Sequence, residues 1–344
     1  MPDRIWPREQ LGIEYEPMAE YGPGDIELDR VRRELEELDP AGDHFASVIR
    51  DTLDQLLDGR RRGRFDYRDL YKTEKTYMGT LVEINLQREF EFEDGNVTDY
   101  SIADIDVDCK FSQRIGGWEL GPEMLGQLCL IVWCSDRESS WRAGLIRASL
   151  DTLRETFNRD SKRRLNELGM SRIKWLWPNH GRLAENLLLH LNPVVRERIM
   201  TATGRARRAN PVQARVNQLF REVQGQIIRR SVLETVAHGA NDPLKRARGN
   251  GGARDFLRPE GILVLGHQDN DHLVAAALGL PVPQKGEFVA SRVVEVPSTT
   301  SPRRTAEIDG HYYAVALPGD PVELAPKVPR GPRSKAELQP THHI

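Results

Sequence analysis

At 344 residues, 39% of them hydrophobic and 29% charged, with no low-complexity tract of any length, the chain is globular and has room for two domains of about 150 residues each. Its net charge of −3 hides an asymmetry: residues 1–50 carry thirteen Asp and Glu against six Lys and Arg, and residues 196–258 carry fourteen Lys and Arg against five Asp and Glu. The absence of a long apolar run in the first fifty residues, and three cysteines (Cys109, Cys129, Cys134) without metal-ligand spacing, lead us to expect a cytoplasmic protein with reduced core thiols and neither signal peptide nor membrane span.

Residues 26–58 read as two amphipathic helices broken at "DPAGD" (39–43), the second with Phe45, Val48, Ile49, Leu53, Leu56 and Leu57 at helical spacing. Thr73 reads as the N-cap of a helix running to about Phe90, with Met78, Leu81, Val82 and Leu86 as its buried stripe. A hairpin follows in "TDYSIADIDVDCKFSQ" (98–113), then a helix at 120–127 and strands at 129–134 ("CLIVWC") and 141–148. This order describes a mixed sheet with helices packed on it, an α/β core. Pro178, Asn179 and Gly181 suggest a boundary, so the expected organisation is an extension over 1–25, domains over 26–175 and 185–326, a linker over 176–184 and a tail over 327–344. The second domain reads as helices near 194–203, 212–223 and 226–238, a strand at 261–266, a helix near 270–279 and two further β segments, an arrangement that fits a winged-helix module.

The hairpin carries the chemistry. Residues two apart on a strand share a face, so Asp108 and Lys110 point one way while Cys109 points into the opposite layer. Asp99, on the preceding antiparallel strand, can lie across from them. Two carboxylates a few ångströms apart repel unless a cation sits between them, which invites Mg²⁺ or Mn²⁺. A lysine beside them can hold a water or stabilise charge on a phosphate in the transition state. Glu83, at the edge of the preceding helix's apolar stripe, can supply a further ligand or orient one. The polar face thus reads as a site for metal-assisted phosphodiester hydrolysis. The competing reading is an exposed edge hairpin with solvated carboxylates, and Asp104 and Asp106, near the turn, are expected to follow it. The basic segment over 196–258 points to a polyanion as partner, against the plainer reading of a solvated charged face.

Several stretches together resemble the NaeI-type restriction endonucleases: "RDTLDQLLDGRRRGRFDYRDLYKTEKTYMGTLVEINLQREFEF", "TDYSIADIDVDCKFS", "QARVNQLFREVQGQIIRR", "KRARGNGGARDFLRPEGILVLGHQDND" and "LGLPVPQKGEFVASRVV". The likeness runs collinearly over roughly residues 27–325. It implies an N-terminal PD-(D/E)xK nuclease domain and a C-terminal α+β domain with a catabolite-activator-like helix-turn-helix. It also implies a type IIE homodimer that binds two copies of its site, one cut and one activating, on double-stranded DNA. The implied target is GCCGGC, cut to blunt ends with Mg²⁺ (Mn²⁺ substituting), and a cognate DNA methyltransferase is expected in the same host without being a physical partner. Carried over by position, the catalytic residues are Glu83, Asp99, Asp108 and Lys110, with Asp99 and Asp108 as main metal ligands and Glu83 as an additional one. Thr98 stands where the PD-(D/E)xK pattern has proline.

For DNA contact the sequence offers Lys245, Arg246, Arg248 and Arg254 around the glycines of "KRARGNGGAR", and Arg215 and Arg221 on a helix. Their plainer readings are a mobile loop with solvated arginines and the charged outer face of a structural helix. "GHQDND" (266–271) reads as a helix N-cap by Asp269 or Asn270 and not as a second metal site. "LLDG" (56–59) resembles the K-x-D-G adenylation motif of nucleic-acid ligases, but Leu56 replaces the lysine and no nucleotidyl phosphoramidate can form. Two rivals to the endonuclease remain: a non-catalytic sequence-specific DNA-binding regulator, and a nicking or strand-passage enzyme on the same fold.

Overall fold

The computed structural model describes residues 24–177, 182–204, 210–297 and 302–331. Most of the expected N-terminal extension, Pro178, Asn179 and Gly181 of the expected linker, and the tail beyond residue 331 therefore lie outside the described residues. Helices α1 (Ile26–Leu38) and α2 (Asp43–Leu57) match the sequence reading. The Asp25 carboxylate accepts from Leu28 N–H to start α1, and Asp39 accepts from Phe45 N–H (2.8 Å) across the break, where Gly42 adopts a positive φ. A single turn, α3 (Gly59–Arg62), precedes α4 (Lys72–Phe90). Thr73 does not cap α4. Glu74 instead accepts from Tyr71 N–H (2.8 Å) and is clamped by two bonds from Arg64, so the helix starts at Lys72.

The strands that follow are β1 (Glu93–Asp94), β2 (Tyr100–Ile102), β3 (Ile105–Ser112), β4 (Leu128–Ser135) and β5 (Ser140–Arg147). A small hairpin of β6 (Leu153–Phe157) and β7 (Arg163–Leu165) leads to α5 (Glu167–Ser171) and β8 (Lys174–Trp175). The main sheet runs β1-β2-β3-β4-β5-β8 and is antiparallel except where β3 lies parallel to β4. Strand β4 is buried on both sides, which explains its unbroken apolar run. Leu130, Val132 and Cys134 face the layer of α1, α2 and α4; Cys129, Ile131 and Trp133 face Trp118, Leu120, Leu153 and Ile173. All three cysteines are free and buried. The helix expected at 120–127 does not form. Leu120 exchanges two backbone bonds with Arg163, Pro122 lacks a donor, and Gly126 sits at positive φ, so only a short 3₁₀ turn fits at Pro122–Met124.

The second half contains α6 (Leu187–His190), α7 (Pro193–Met200), α8 (Pro211–Glu222), α9 (Arg230–Val236), α10 (Ala253–Phe256), β9 (Ile262–Leu265), α11 (Asp271–Ala277), β10 (Val289–Val296), β11 (Thr305–Ile308) and β12 (His311–Val315). Its antiparallel sheet has the order β11-β12-β10-β9. Ile262 and Val264 pack on α7, α8 and α9, while Leu263 and Leu265 pack on α11. Helix α9 begins later than residue 226 because Ile228 exchanges backbone bonds with Phe288 and extends the sheet. Asn270 stands at the N-cap of α11 as expected, but its side chain makes no cap bond and instead donates to Pro329 O (3.0 Å).

The halves meet where α3 lies on α9. A Cβ on Gly59 would come within 2.0 Å of Thr235 Oγ1, so only glycine permits this approach. Beside it, Asn186 donates to Phe65 O (2.8 Å) and to the Asp136 carboxylate (2.9 Å), and Arg196 lies over the Phe65 ring. Asp136 also pairs with Arg50 of α2, a charged side chain as buried as the aromatic core.

Candidate active site

The β2–β3 register pairs Tyr100 with Val107, which sets Asp99 beside Asp108 on neighbouring chains of one ladder. Asp99 Oδ2 accepts from Cys109 N–H (2.7 Å). Asp108 is buried and ion-paired with Lys110, whose Nζ also donates to Cys109 O (3.2 Å). Glu83 projects from α4 near enough for the charges of Asp99, Lys110 and Asp108 to act on it. Asp99, Asp108 and Lys110 therefore come together, with Glu83 nearby. The edge-hairpin reading is corrected: β3 pairs with β2 over Ile105–Val107 and with β4 over Val107–Ser112, and Asp108 is buried.

The electrostatics follow from crowding acids in a half-buried pocket. Burial pushes the Asp108 carboxyl up to about 6, against the pull of Lys110 and with the Asp99 charge adding to the rise. Glu83 is raised by burial first and by Asp99 next, with Lys110 opposing. Burial disfavours the charged Lys110 ammonium, but Asp108 and Asp99 outweigh it and raise its pKa. The cluster thus carries more carboxylates than its one ammonium neutralises. Among the described residues no group of three or more His, Cys, Asp or Glu is already gathered as a metal cage. A divalent cation bound here would take one or two of these carboxylates together with waters or substrate phosphate oxygens. The hard oxygen donors present fit such an ion.

The two acids nearer the turn part company. Asp104 is exposed, 3.9 Å from Arg30, as expected of a solvated carboxylate. Asp106 corrects the sequence reading: it accepts from Asn96 N–H (2.9 Å) and Val97 N–H (3.1 Å) and so closes the loop that leads into Asp99. Leu56 is buried in the α2 core, consistent with a packing residue in "LLDG".

The basic residues fall into three groups. Lys245 and Arg248 are exposed and, with Arg254, line a cavity of about 540 Å³ that His267 and Arg330 also border. Arg254 is ion-paired there with Asp271, which also accepts from Gly266 N–H. Arg246 and Arg221 border a second cavity of about 1030 Å³ with Gln213 and Asn217, and Arg221 makes two 2.7 Å bonds to Glu260. Arg215 is turned inward, donating to Val236 O and His238 O (2.8 Å each), where it ties α8 to the end of α9.

The family model described as "Restriction endonuclease NaeI" matches residues 29–324. Over 311 residues the chain is 55% identical to the "Type II restriction enzyme NaeI" of Lentzea aerocolonigenes, an alignment covering 90% of this chain and 97% of that one. The chain belongs to the NaeI restriction endonuclease family. It is a type II restriction endonuclease, a hydrolase that cleaves double-stranded DNA. Among the described residues of this NaeI-family enzyme, no helix is long and apolar enough to cross a membrane. Sequence reasoning missed two side chains that shape the site, Asp106 and Tyr100, and the buried Arg50 at the junction of the halves. Local spacing does not reveal these roles, because Asp106 bonds to Asn96, Tyr100 to Glu83 and Arg50, beyond its helical neighbour Asp54, to Asp136.

Proposed function

We propose that this chain is a homodimeric, Mg²⁺-dependent endonuclease of the type IIE pattern that cuts GCCGGC to blunt ends and is activated by a second copy of the site. In this reading residues 26–175 form a PD-(D/E)xK nuclease domain, and residues 185–326 form an effector-DNA domain with a catabolite-activator-like helix-turn-helix. The observation that carries it is the meeting of Asp99, Asp108 and Lys110 at β3, with Glu83 nearby. Asp99 and Asp108 would hold the metal, with Glu83 as a further carboxylate; Mn²⁺ would serve in its place. A bound divalent cation neutralises phosphate charge and makes water a better nucleophile at neutral pH. Lys110, kept charged by Asp108 and Asp99, acts as a donor to the attacking water or to a phosphate oxygen as negative charge develops there. Asp99 is held to the β3 backbone, so the reacting phosphate meets carboxylates that need little rearrangement.

The C-terminal half supports the DNA-binding part of the reading. Helices α8 and α9, the Lys245–Arg254 segment and strand β9 follow one another in the order of a winged-helix module. Lys245 and Arg248 are its most exposed cations of the six, and phosphate contact is the role their exposure suits. A palindromic target is matched by a two-fold protein, and two DNA-binding regions per chain make activation a coupling between sites. Replacing both Lys245 and Arg248 with Ala is expected to weaken DNA binding across all sequences and to lower the salt slope by about 2. An unchanged slope in a titration of KCl would remove them from the DNA surface.

A plasmid digest tests the whole reading. Wild-type protein in Mg²⁺ is expected to give discrete blunt-ended fragments at GCCGGC, faster when a second GCCGGC duplex is added in trans. Fragments with ends at other sequences would discard the specificity and keep the nuclease. Nicked circles or topoisomers would favour a strand-passage enzyme, and binding without cleavage would favour a regulator.

A further inference from the structure

Beneath the four candidate residues lies a buried pair that touches all of them. Tyr100 follows Asp99 directly and is wholly buried. Its hydroxyl donates to Glu83 O (2.8 Å), across the junction between strand β2 and helix α4. Cys109 sits between Asp108 and Lys110, gives its N–H to Asp99, and accepts from Lys110 through its carbonyl. The ring of Tyr100 is packed against Phe92, with centroids 5.3 Å apart. Elsewhere α4 is tied to α2 by Asn85, which donates to Thr52 Oγ1 and Gln55 Oε1, and to β1 by Gln87, which donates to Asp94 (2.7 Å).

We infer that Tyr100 is a positioning residue for metal-assisted cleavage: its hydroxyl fixes the Glu83 carboxylate relative to Asp99 and Asp108. This rests on the proposed role of Glu83 at the metal. The bond is to a main-chain carbonyl in mid-helix, which already accepts from the helix itself. Helix propensity therefore gains nothing from it, whereas the spacing of α4 from β2 does. A buried hydroxyl left without a partner is costly, so the bond also specifies which turn of α4 meets the strand. Partners that orient a metal ligand are worth about 10- to 100-fold in metal affinity.

Tyr100→Phe keeps the ring and removes only the donor. We expect it to fold with a melting temperature close to wild type and to bind Mn²⁺ about tenfold more weakly, read by electron paramagnetic resonance on the DNA-free full chain. The Mg²⁺ concentration giving half-maximal plasmid cleavage should rise by a similar factor. Because Tyr100 acts through Glu83, Y100F should slow E83Q no further, whereas a purely structural role would multiply the two losses. Phe92→Leu loosens the ring packing and keeps the hydroxyl, so it should lower the melting temperature and leave the Mg²⁺ requirement where it was. Wild-type Mn²⁺ binding by Y100F, full multiplicativity with E83Q, or a raised Mg²⁺ requirement in F92L each overturns the inference. If E83Q itself binds Mn²⁺ and cleaves as wild type, Glu83 leaves the proposed site and the inference falls with it. A slow E83Q beside an unaffected Y100F overturns the inference alone.

Discussion

Asp108→Asn should leave the protein folded and able to bind DNA, yet cut plasmid about 10²- to 10³-fold more slowly at neutral pH in Mg²⁺. The amide keeps the shape of the carboxyl but loses the charge that pairs with Lys110 and that a divalent cation needs. The same substitution has a second, opposite consequence in the metal-free protein. An Asp carboxyl ordinarily titrates near 3.8, and in the fold Asp108 is pushed up to about 6. A raised acid costs the native state nothing below its unfolded pKa. The cost grows as pH rises through the interval and is complete above about 6. Asparagine does not titrate. The melting temperature of D108N relative to wild type should therefore shift upward between about pH 4 and pH 6 and level off beyond. Calorimetry in EDTA on both proteins measures this, and a difference that stays flat across the interval would rule out a destabilising Asp108. Adding Mg²⁺ should narrow the gap by stabilising wild type and not D108N.

The largest effect on stability is expected away from the chemistry. Arg50→Met should destabilise the protein by about 3–5 kcal/mol, the usual loss when one partner of a buried ion pair is removed. Arg50 is 2% exposed, donates to Asp54 (2.7 Å) and pairs with Asp136, itself almost as buried. Burial works against the guanidinium, and Asp54 and Asp136 more than offset it, so the group stays charged. Without Arg50 the Asp136 carboxylate keeps only its bond from Asn186 among its side-chain partners, in a site that excludes water. For a chain of this size the loss corresponds to a fall of roughly 4–7 °C in melting temperature. R50M/D136N should recover much of it, because no uncompensated charge is left behind. Thermal unfolding of the three proteins decides the matter: if R50M melts within a degree or two of wild type, the network is not a structural tie. Asp136 and Asn186 also join the two halves, so R50M is expected to weaken any response to a second DNA site along with stability.

Much of the first half was legible from periodicity alone. The apolar stripes of α1, α2 and α4 depend on residues three and four apart, and "CLIVWC" could only be a strand covered on both faces. Alternation along "IDVDCK" was enough to set Asp108 and Lys110 on one face and Cys109 on the other. Errors arose where a neighbour distant in sequence overrode a local signal. Thr73 is a good cap, but Arg64 anchors Glu74 and moves the start of α4. Leu120–Gln127 has helical composition, but its backbone groups are taken by Arg163 and Ala148. Arg215 looked like an outward cation, and the carbonyls at the end of α9 draw it in.

By itself, then, the sequence determined the elements, the polar face of β3 and the membership of the family, because strand alternation, helical spacing and collinear identity are properties of order along one chain. Tertiary structure alone decided that β3 pairs on both sides, that Asp99 meets Asp108 with Glu83 nearby, and that Asp106 and Tyr100 brace the loop and helix that carry them. The physical reason is that burial and hydrogen-bond pairing are made between segments far apart in the chain. They alone turn a row of acids from solvated surface charge into a cluster that a metal ion and a phosphate can complete.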